Sequence, residues 1–273
     1  MLALYDPNSH HSLVRQTGIH PQLAAQAALG VVLVCLGFPD QALAQNNKAI
    51  TETRGLPHPP TLAMSLGMDA LLLSIIGDDK GLEQRVDGLV AVAIDQGFPL
   101  YRATGAIFRG WVTAKNADVA EGLSLLRAGS SAYCATGATA WMPLYIALLA
   151  GACEIGGQIE EGAAQLDQAL QLVERTGERW FAAELNRHRG RLLLRQGQAE
   201  AAEELYLRAR GIAREHEAKL WELRAAVSLA RLWRDQGRRA AGRDQLAPVY
   251  GWFTEGFATP DLKEAKALLD ELG

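Results

Sequence analysis

The chain has 273 residues, 27 Lys and Arg against 31 Asp and Glu, a net charge of −4, and three cysteines. That length allows one or two domains. The negative balance argues against nucleic acid as a partner. The odd, widely spaced Cys35, Cys134 and Cys153 form neither a disulfide frame nor a zinc spacing.

Strand formers alternate over no long stretch, while the helix formers Ala, Leu, Gln, Glu and Arg dominate. The N-terminus carries no basic region followed by an apolar core, so no leader is expected. The most apolar run, Ala27 to Phe38, is 12 residues long, against the roughly 20 that a membrane span needs. A cytoplasmic protein with no membrane association follows as the expectation, its cysteines acting as small fillers.

In chain order, residues 1–19 fit no full unit. Asp6-Pro7-Asn8 reads as a turn, and Ser12 to Gln16 as a short helix or the remnant of an earlier hairpin. A 40-residue register then begins. Gly37, Gly77, Ala117, Gly157, Gly197 and Gly237 mark one turn, and Gly97, Gly137 and Gly177 a second turn 20 residues later, with Gly55 slightly out of phase. Seven residues before the first turn stand Gly30, Ala70, Gly110, Ala150, Gly190 and Ala230. Small residues recur five residues after it, Leu82 excepted, from Ala42 through Gly122 and Ala202 to Gly242. Gly at a turn admits the positive φ that ends a helix. A small residue in mid-helix marks a place where two helix axes come close. Self-similarity at this period means stacked helical hairpins, none of which buries its apolar face alone.

The predicted units are 20–56, 57–97, 98–137, 138–177, 178–218 and 219–257, forming one helical-repeat domain over 1–273. Leu56-Pro57-His58-Pro59-Pro60 reads as an extended turn inside the stack. Asp78-Asp79 caps the second helix of unit two. Pro248 interrupts the second helix of unit six. Thr259 as N-cap and Pro260 at the first helical position start a polar capping helix over 259–272.

The small-residue spacing resembles the tetratricopeptide repeat, with a unit of 40 rather than 34 residues. The resemblance implies an all-α, right-handed superhelix of about six hairpins plus a C-terminal cap. ELRAAVSLARLWRDQG at Glu222 to Gly237, LAPVYGWFTEGF at Leu246 to Phe257 and DLKEAKALLDEL after it are similar to the C-terminal repeats of a bacterial multidomain family. So are VERTGERW at Val173 to Trp180, Phe98-Pro99-Leu100-Tyr101 and Arg109-Gly110-Trp111. Members of that family join a class III nucleotide cyclase or a DNA-binding domain to a signal-transduction ATPase and then to repeats. Only the repeat region is matched. No G-x-x-x-x-G-K-[ST] loop occurs, so no cyclase or ATPase residue carries over.

No catalytic constellation is readable, so the chain is expected not to be an enzyme and to need no cofactor. His10, His11 and His20 lack metal-ligand spacing and read as loop histidines. Gly77-Asp78-Asp79 is explained by its place at a repeat turn. Charge, however, is uneven: residues 181–250 hold 14 Lys and Arg against 9 Asp and Glu. Arg187, Arg191 and Arg195 repeat at i, i+4, i+8, on one stripe of a helix. Arg224, Arg231 and Arg234 take the similar stripe of the next unit. In the first four units Val31, Val34, Met64, Leu71, Ile107, Trp111 and Leu144 occupy the matching positions.

Two readings of the stripe stand. In one, those six arginines and Trp111 line a concave groove for a protein or peptide partner, acidic or amphipathic. In the other, the arginines pair with Glu184, Glu222 and Asp235 of their own helices. A sensor role beside ATPase or cyclase domains, ligand binding near Trp111, Trp141 and Tyr145, and self-association through an apolar N-terminal end complete the expectations.

Overall fold

A computed structural model describes residues 14, 16, 18–116 and 118–273. The turn at Asp6-Pro7-Asn8, most of the segment Ser12 to Gln16, the pair His10-His11 and the small residue Ala117 fall outside the described residues. Among those described there are thirteen α-helices and no strand. They are α1 (Pro21–Leu36), α2 (Pro39–Arg54), α3 (Pro59–Ile76), α4 (Asp79–Asp95), α5 (Pro99–Asn116), α6 (Val119–Ala135), α7 (Met142–Ile155), α8 (Ile159–Thr176), α9 (Ala182–Arg195), α10 (Ala199–Glu215), α11 (Lys219–Asp235), α12 (Arg239–Tyr250) and α13 (Pro260–Leu272). Successive helices pack as six hairpins, α1 with α2 through α11 with α12, and α13 closes the row against α11 and α12.

Local chemistry sets the helix ends. Proline opens α1, α2, α3 and α13, where its missing N–H costs nothing. Asp78 accepts from Gly81 N at 2.9 Å, and Asp118 from Ala120 N at 2.8 Å and Glu121 N at 3.0 Å. His58 caps α3 through its Nδ1, and Pro59 and Pro60 already belong to that helix, so the expected turn is confined to residues 55–58. Thr259 takes the expected N-cap position before Pro260, but its hydroxyl makes no cap bond and donates instead to Gly256 O at 2.7 Å, inside the preceding turn. The α12 helix runs on through Pro248 and stops at Tyr250. Proline there falls in the last turn, where an interrupted hydrogen bond costs least.

Gly197 sits at φ 79, as the turn position demands, with open space around it. Forty residues after Gly177, the equivalent second turn carries Glu217 at φ 54, a left-handed conformation on a non-glycine residue. The mid-helix small residues are close approaches. A Cβ on Gly190 would lie 2.8 Å from Tyr206 Cε1 and 3.2 Å from Ala202 O. The α5–α6 pair is tighter: a Cβ on Gly122 would stand 2.5 Å from the backbone nitrogen of Ala114.

The row of hairpins curls until its ends meet. The α1 and α11 helices touch, and Val31 and Val34 share one core with Ala218, Leu220 and Trp221. Phe38 packs on Trp252 at 5.5 Å between ring centroids. Glu255 Oε1 accepts from the backbone N–H groups of Asp40 and Gln41 at 3.0 and 3.1 Å, and Asp40 Oδ2 accepts from Gly256 N at 3.0 Å. The apolar stretch of concave surface is therefore closed. Val31, Val34, Leu71, Ile107 and Leu144 are buried core, and Met64 and Trp111 are half-buried. Residues 252–256 also cover part of the N-terminal hairpin, the end on which self-association was expected.

The α3 helix is the one described helix long and apolar enough to cross a membrane, but 67% of it is buried inside this fold. It packs against α1, α2, α4 and α5. Its buried Asp69 lies 2.5 Å from Arg85, an arrangement suited to a protein interior rather than lipid.

Candidate functional site

The arginine stripe folds into a charged cleft where α9, α11 and α13 meet. Glu184, on the first turn of α9, is buried and accepts from Arg187 Nε at 2.6 Å and Nη2 at 2.8 Å. Arg224 reaches it from α11 through Nη1 at 3.1 Å. The same Arg224 grips Asp261 of α13 with Nε and Nη2, both at 2.8 Å, and donates to the carbonyl oxygen of Ile75 in α3. One guanidinium thus ties together the second, fifth and sixth hairpins and the terminal helix. Arg191 pairs with Glu154 of α7 at 2.5 Å, and Arg231 pairs with Glu264 of α13.

Burial disfavours the Glu184 carboxylate, but the Arg187 and Arg224 guanidiniums overcome it and hold the group well below the usual carboxylate range. Burial likewise opposes the charge on Arg224, and Asp261 and Glu184 more than offset it, raising the group. His188 lies between the two stripe arginines, 3.1 Å from Arg187 Nη2 and 3.4 Å from Arg191 Nη2. Burial, then those two cations, push it down to about 3, so it is a neutral acceptor at physiological pH.

The structure brings four of the expected residues together. Arg187, Arg191, Arg224 and Arg231 line a cavity of about 350 Å³ with Asp261 and Glu264, over a floor that includes Leu194, Tyr206, Leu223 and Val227. Side-chain exposure falls from 50% at Arg231 and 39% at Arg191 to 18% at Arg224 and 12% at Arg187. The inner pair is structural cement, and the outer pair is partly open to solvent while still ion-paired. Arg195 is exposed outside the cavity. Arg234 is drawn off to Asp235 and Glu271. Trp111 lies elsewhere, beneath Lys115 at 5.4 Å and against Gly151.

The remaining aromatics separate as well. Tyr145 is core, edge-on to Phe108 and Tyr133. Trp141 instead joins Trp180 and Trp221: the first two stand on the links before α7 and α9, and Trp221 is in the first turn of α11. Trp141 and Trp180 are 5.4 Å apart edge-on, and Trp180 and Trp221 are 6.4 Å apart. These three tryptophans wall a second cavity, of about 410 Å³, whose other side is α1. Part of the signal was present at the same 40-residue step: Trp141 and Trp221 fall on it, with Phe181 between them, and Trp180 stands one residue before Phe181.

No protein-family model matches the chain. An uncharacterized protein of Rhizobium meliloti is 26% identical over 204 residues, which cover 74% of this chain and 20% of that protein. The chain therefore spans about a fifth of the length of that relative. Among solved structures, a Rap protein complexed with competence and sporulation factor superposes with a TM-score of 0.64 at 10% identity, over 92% of this chain and 73% of its own. The Cut9–Hcn1 hetero-tetramer of APC/C gives 0.58 at 14% identity, over 96% and 44%. A signal-transduction ATPase with a tetratricopeptide-repeat sensor, from Pyrococcus horikoshii, gives 0.52 at 14% identity, over 97% and 46%. The fold is a tetratricopeptide-like helical-repeat solenoid.

Proposed function

We propose that the chain is a non-catalytic interaction and sensor module, which takes an acidic, partly apolar peptide segment in the cleft between α9, α11 and α13. The observation that carries this reading is the graded exposure of the four arginines. Arg187 and Arg224 are consumed by Glu184 and Asp261, whereas the Arg191 and Arg231 side chains are 39% and 50% exposed beside an apolar floor. A carboxylate arriving there competes with Glu154 and Glu264 for a planar fork, and an aliphatic neighbour covers Leu194 or Val227. The volume seats one or two side chains, so the rest of a partner would lie along the outer surface.

The neighbours support an interaction role by analogy alone: one is a Rap protein complexed with a signalling factor, another a subunit of a hetero-tetramer, a third the sensor of an ATPase. The length of the Rhizobium relative favours a place within a larger protein, where ATPase or cyclase segments would be the output that the repeats regulate.

The test is an array of acidic and basic 12-residue peptides probed with the protein and with the Arg191→Glu/Arg231→Glu variant. Acidic sequences should bind the parent at least tenfold better than the variant, with identical helical circular dichroism. Equal binding by both would remove the cleft as the site.

A further inference from the structure

We propose that the cavity between α1 and the tryptophans at the start of hairpins four to six binds an uncharged, largely apolar small molecule, and that the ligand holds the two ends of the solenoid together. This site is separate from the arginine cleft and does not rest on it.

The lining carries the inference. One wall is the α1 face with Val31, Val32 and Leu36, and the other is Trp141, Trp180 and Trp221. No lining residue bears a fixed charge; besides the indole N–H groups, His216 and Cys35 are the only polar side chains present. An acidic or basic ligand therefore finds no counter-ion. Two indole N–H groups are already committed: Trp180 Nε1 donates to Glu178 Oε1 at 3.0 Å, and Trp221 Nε1 to Trp180 O at 3.1 Å. Glu178 also accepts from the backbone N–H of Trp141 at 2.9 Å, so one carboxylate fixes the Trp180 ring and the main chain that carries Trp141. Their ring surfaces, rather than these N–H groups, are left for a ligand.

Size and surroundings favour a small molecule over a protein surface. About 410 Å³ lies within the roughly 300–1,000 Å³ typical of small-molecule pockets. A protein partner needs roughly 800 Å² of contact on each side. Of the large exposed apolar residues, Val32 alone lines this cavity; Leu56, Ile94, Ile155, Leu194, Leu207, Trp252 and Phe257 do not.

The position gives the ligand a mechanical role. Its two walls belong to the first hairpin and to the start of hairpins four to six, on opposite sides of the seam where α1 meets α11. A molecule that touches both walls binds the closed arrangement and not an open one, and so shifts the population toward closure.

The probe is N-phenyl-1-naphthylamine, uncharged and fluorescent in apolar surroundings. Saturable binding of one equivalent is expected, with energy transfer from tryptophan to the probe and displacement by n-octanol. Val32→Glu changes a half-exposed side chain and should weaken binding at least tenfold, while circular dichroism and Tm hold. Ala28→Trp, also exposed on α1, fills the same space without charge and should have the same effect. Binding that is unsaturable, or equal in parent and either folded variant, would overturn the proposal. So would a probe displaced by peptides but not by n-octanol.

Discussion

Arg224 of α11 donates to the carbonyl oxygen of Ile75, 149 residues earlier in the chain. Ile75 is in the last turn of α3, where a helix leaves carbonyl groups without an internal partner and carries partial negative charge. A cation from the far end of the solenoid satisfies that group. Glu184 and Asp261 make this possible, because they keep the buried guanidinium charged.

Removal of that guanidinium should be severe. Arg224→Met strands Glu184 against Arg187 alone, leaves Asp261 without a partner and orphans the Ile75 carbonyl. Breaking a buried pair in this way costs about 3–5 kcal/mol. Arg224→Lys should recover less than half, since an ammonium cannot fork to two carboxylates at once. Urea unfolding of both variants gives the numbers, and a loss below 1 kcal/mol for the Met variant would show that the network adds little.

Acid should destabilise the fold before ordinary carboxylates titrate. His188 titrates at about 3 in the native state and near 6.5 when unfolded. Its contribution is therefore fully present above pH 6.5 and is lost as the pH falls from there toward 3, because only the unfolded chain takes up the proton. The slope approaches about 1.4 kcal/mol per pH unit for one proton. Glu184, also depressed, adds a loss of the same sign below its unfolded value of 4.5. Stability measured between pH 7 and pH 5 should fall in the parent and stay flatter in His188→Gln. Parallel curves would mean that the imidazole protonates natively.

Glycine substitutions should divide by geometry and not by helix propensity. Gly211, inside α10, has open space around it, and Gly211→Ala should stabilise by about 1 kcal/mol. Gly122→Ala brings a methyl group to 2.5 Å from the Ala114 backbone and should destabilise by roughly 1–3 kcal/mol. Thermal or urea midpoints decide both, and a shared sign would contradict the close approach of α5 and α6.

The left-handed Glu217 stands where the other second turns carry glycine. Glu217→Gly should stabilise by about 1 kcal/mol, as relief of the αL strain exceeds the added unfolded-state entropy. A lower urea midpoint would mean that the Glu217 side chain contributes more than its backbone costs.

The fold was legible because its periodicity lies in the backbone requirements of glycine. Gly37, Gly77, Gly157, Gly197 and Gly237 each adopt positive φ, and Gly190 faces Ala202 and Tyr206 across a hairpin. Such constraints act within 20 or so residues, so spacing reveals them. The seam was not legible. Glu255 meeting Asp40 and Arg224 meeting Ile75 depend on the accumulated curvature of six hairpins, which no local pattern encodes. For the same reason the apolar residues Val31, Val34 and Leu71 read as groove lining when they are core. The Arg187 stripe was visible as a helical face, but its buried partners were only half visible. Glu184 lies three residues away, whereas Asp261 arrives from α13. Of the tryptophan pocket, Trp141 and Trp221 follow the 40-residue step while Trp180 is one residue off it, and the facing wall on α1 is brought up by the closure of the solenoid.

Closure of the solenoid is tested most directly by hydrogen exchange at two amides. The N–H groups of Asp40 and Gln41 lie in the first turn of α2, where no intrahelical carbonyl is available. In the closed fold both donate to Glu255, 215 and 214 residues away. They should therefore exchange slowly in the parent protein and at the rate of a frayed helix end in Glu255→Ala, with the amides of the α5–α6 core unchanged. Rapid exchange at Asp40 and Gln41 in the parent would contradict the closed seam.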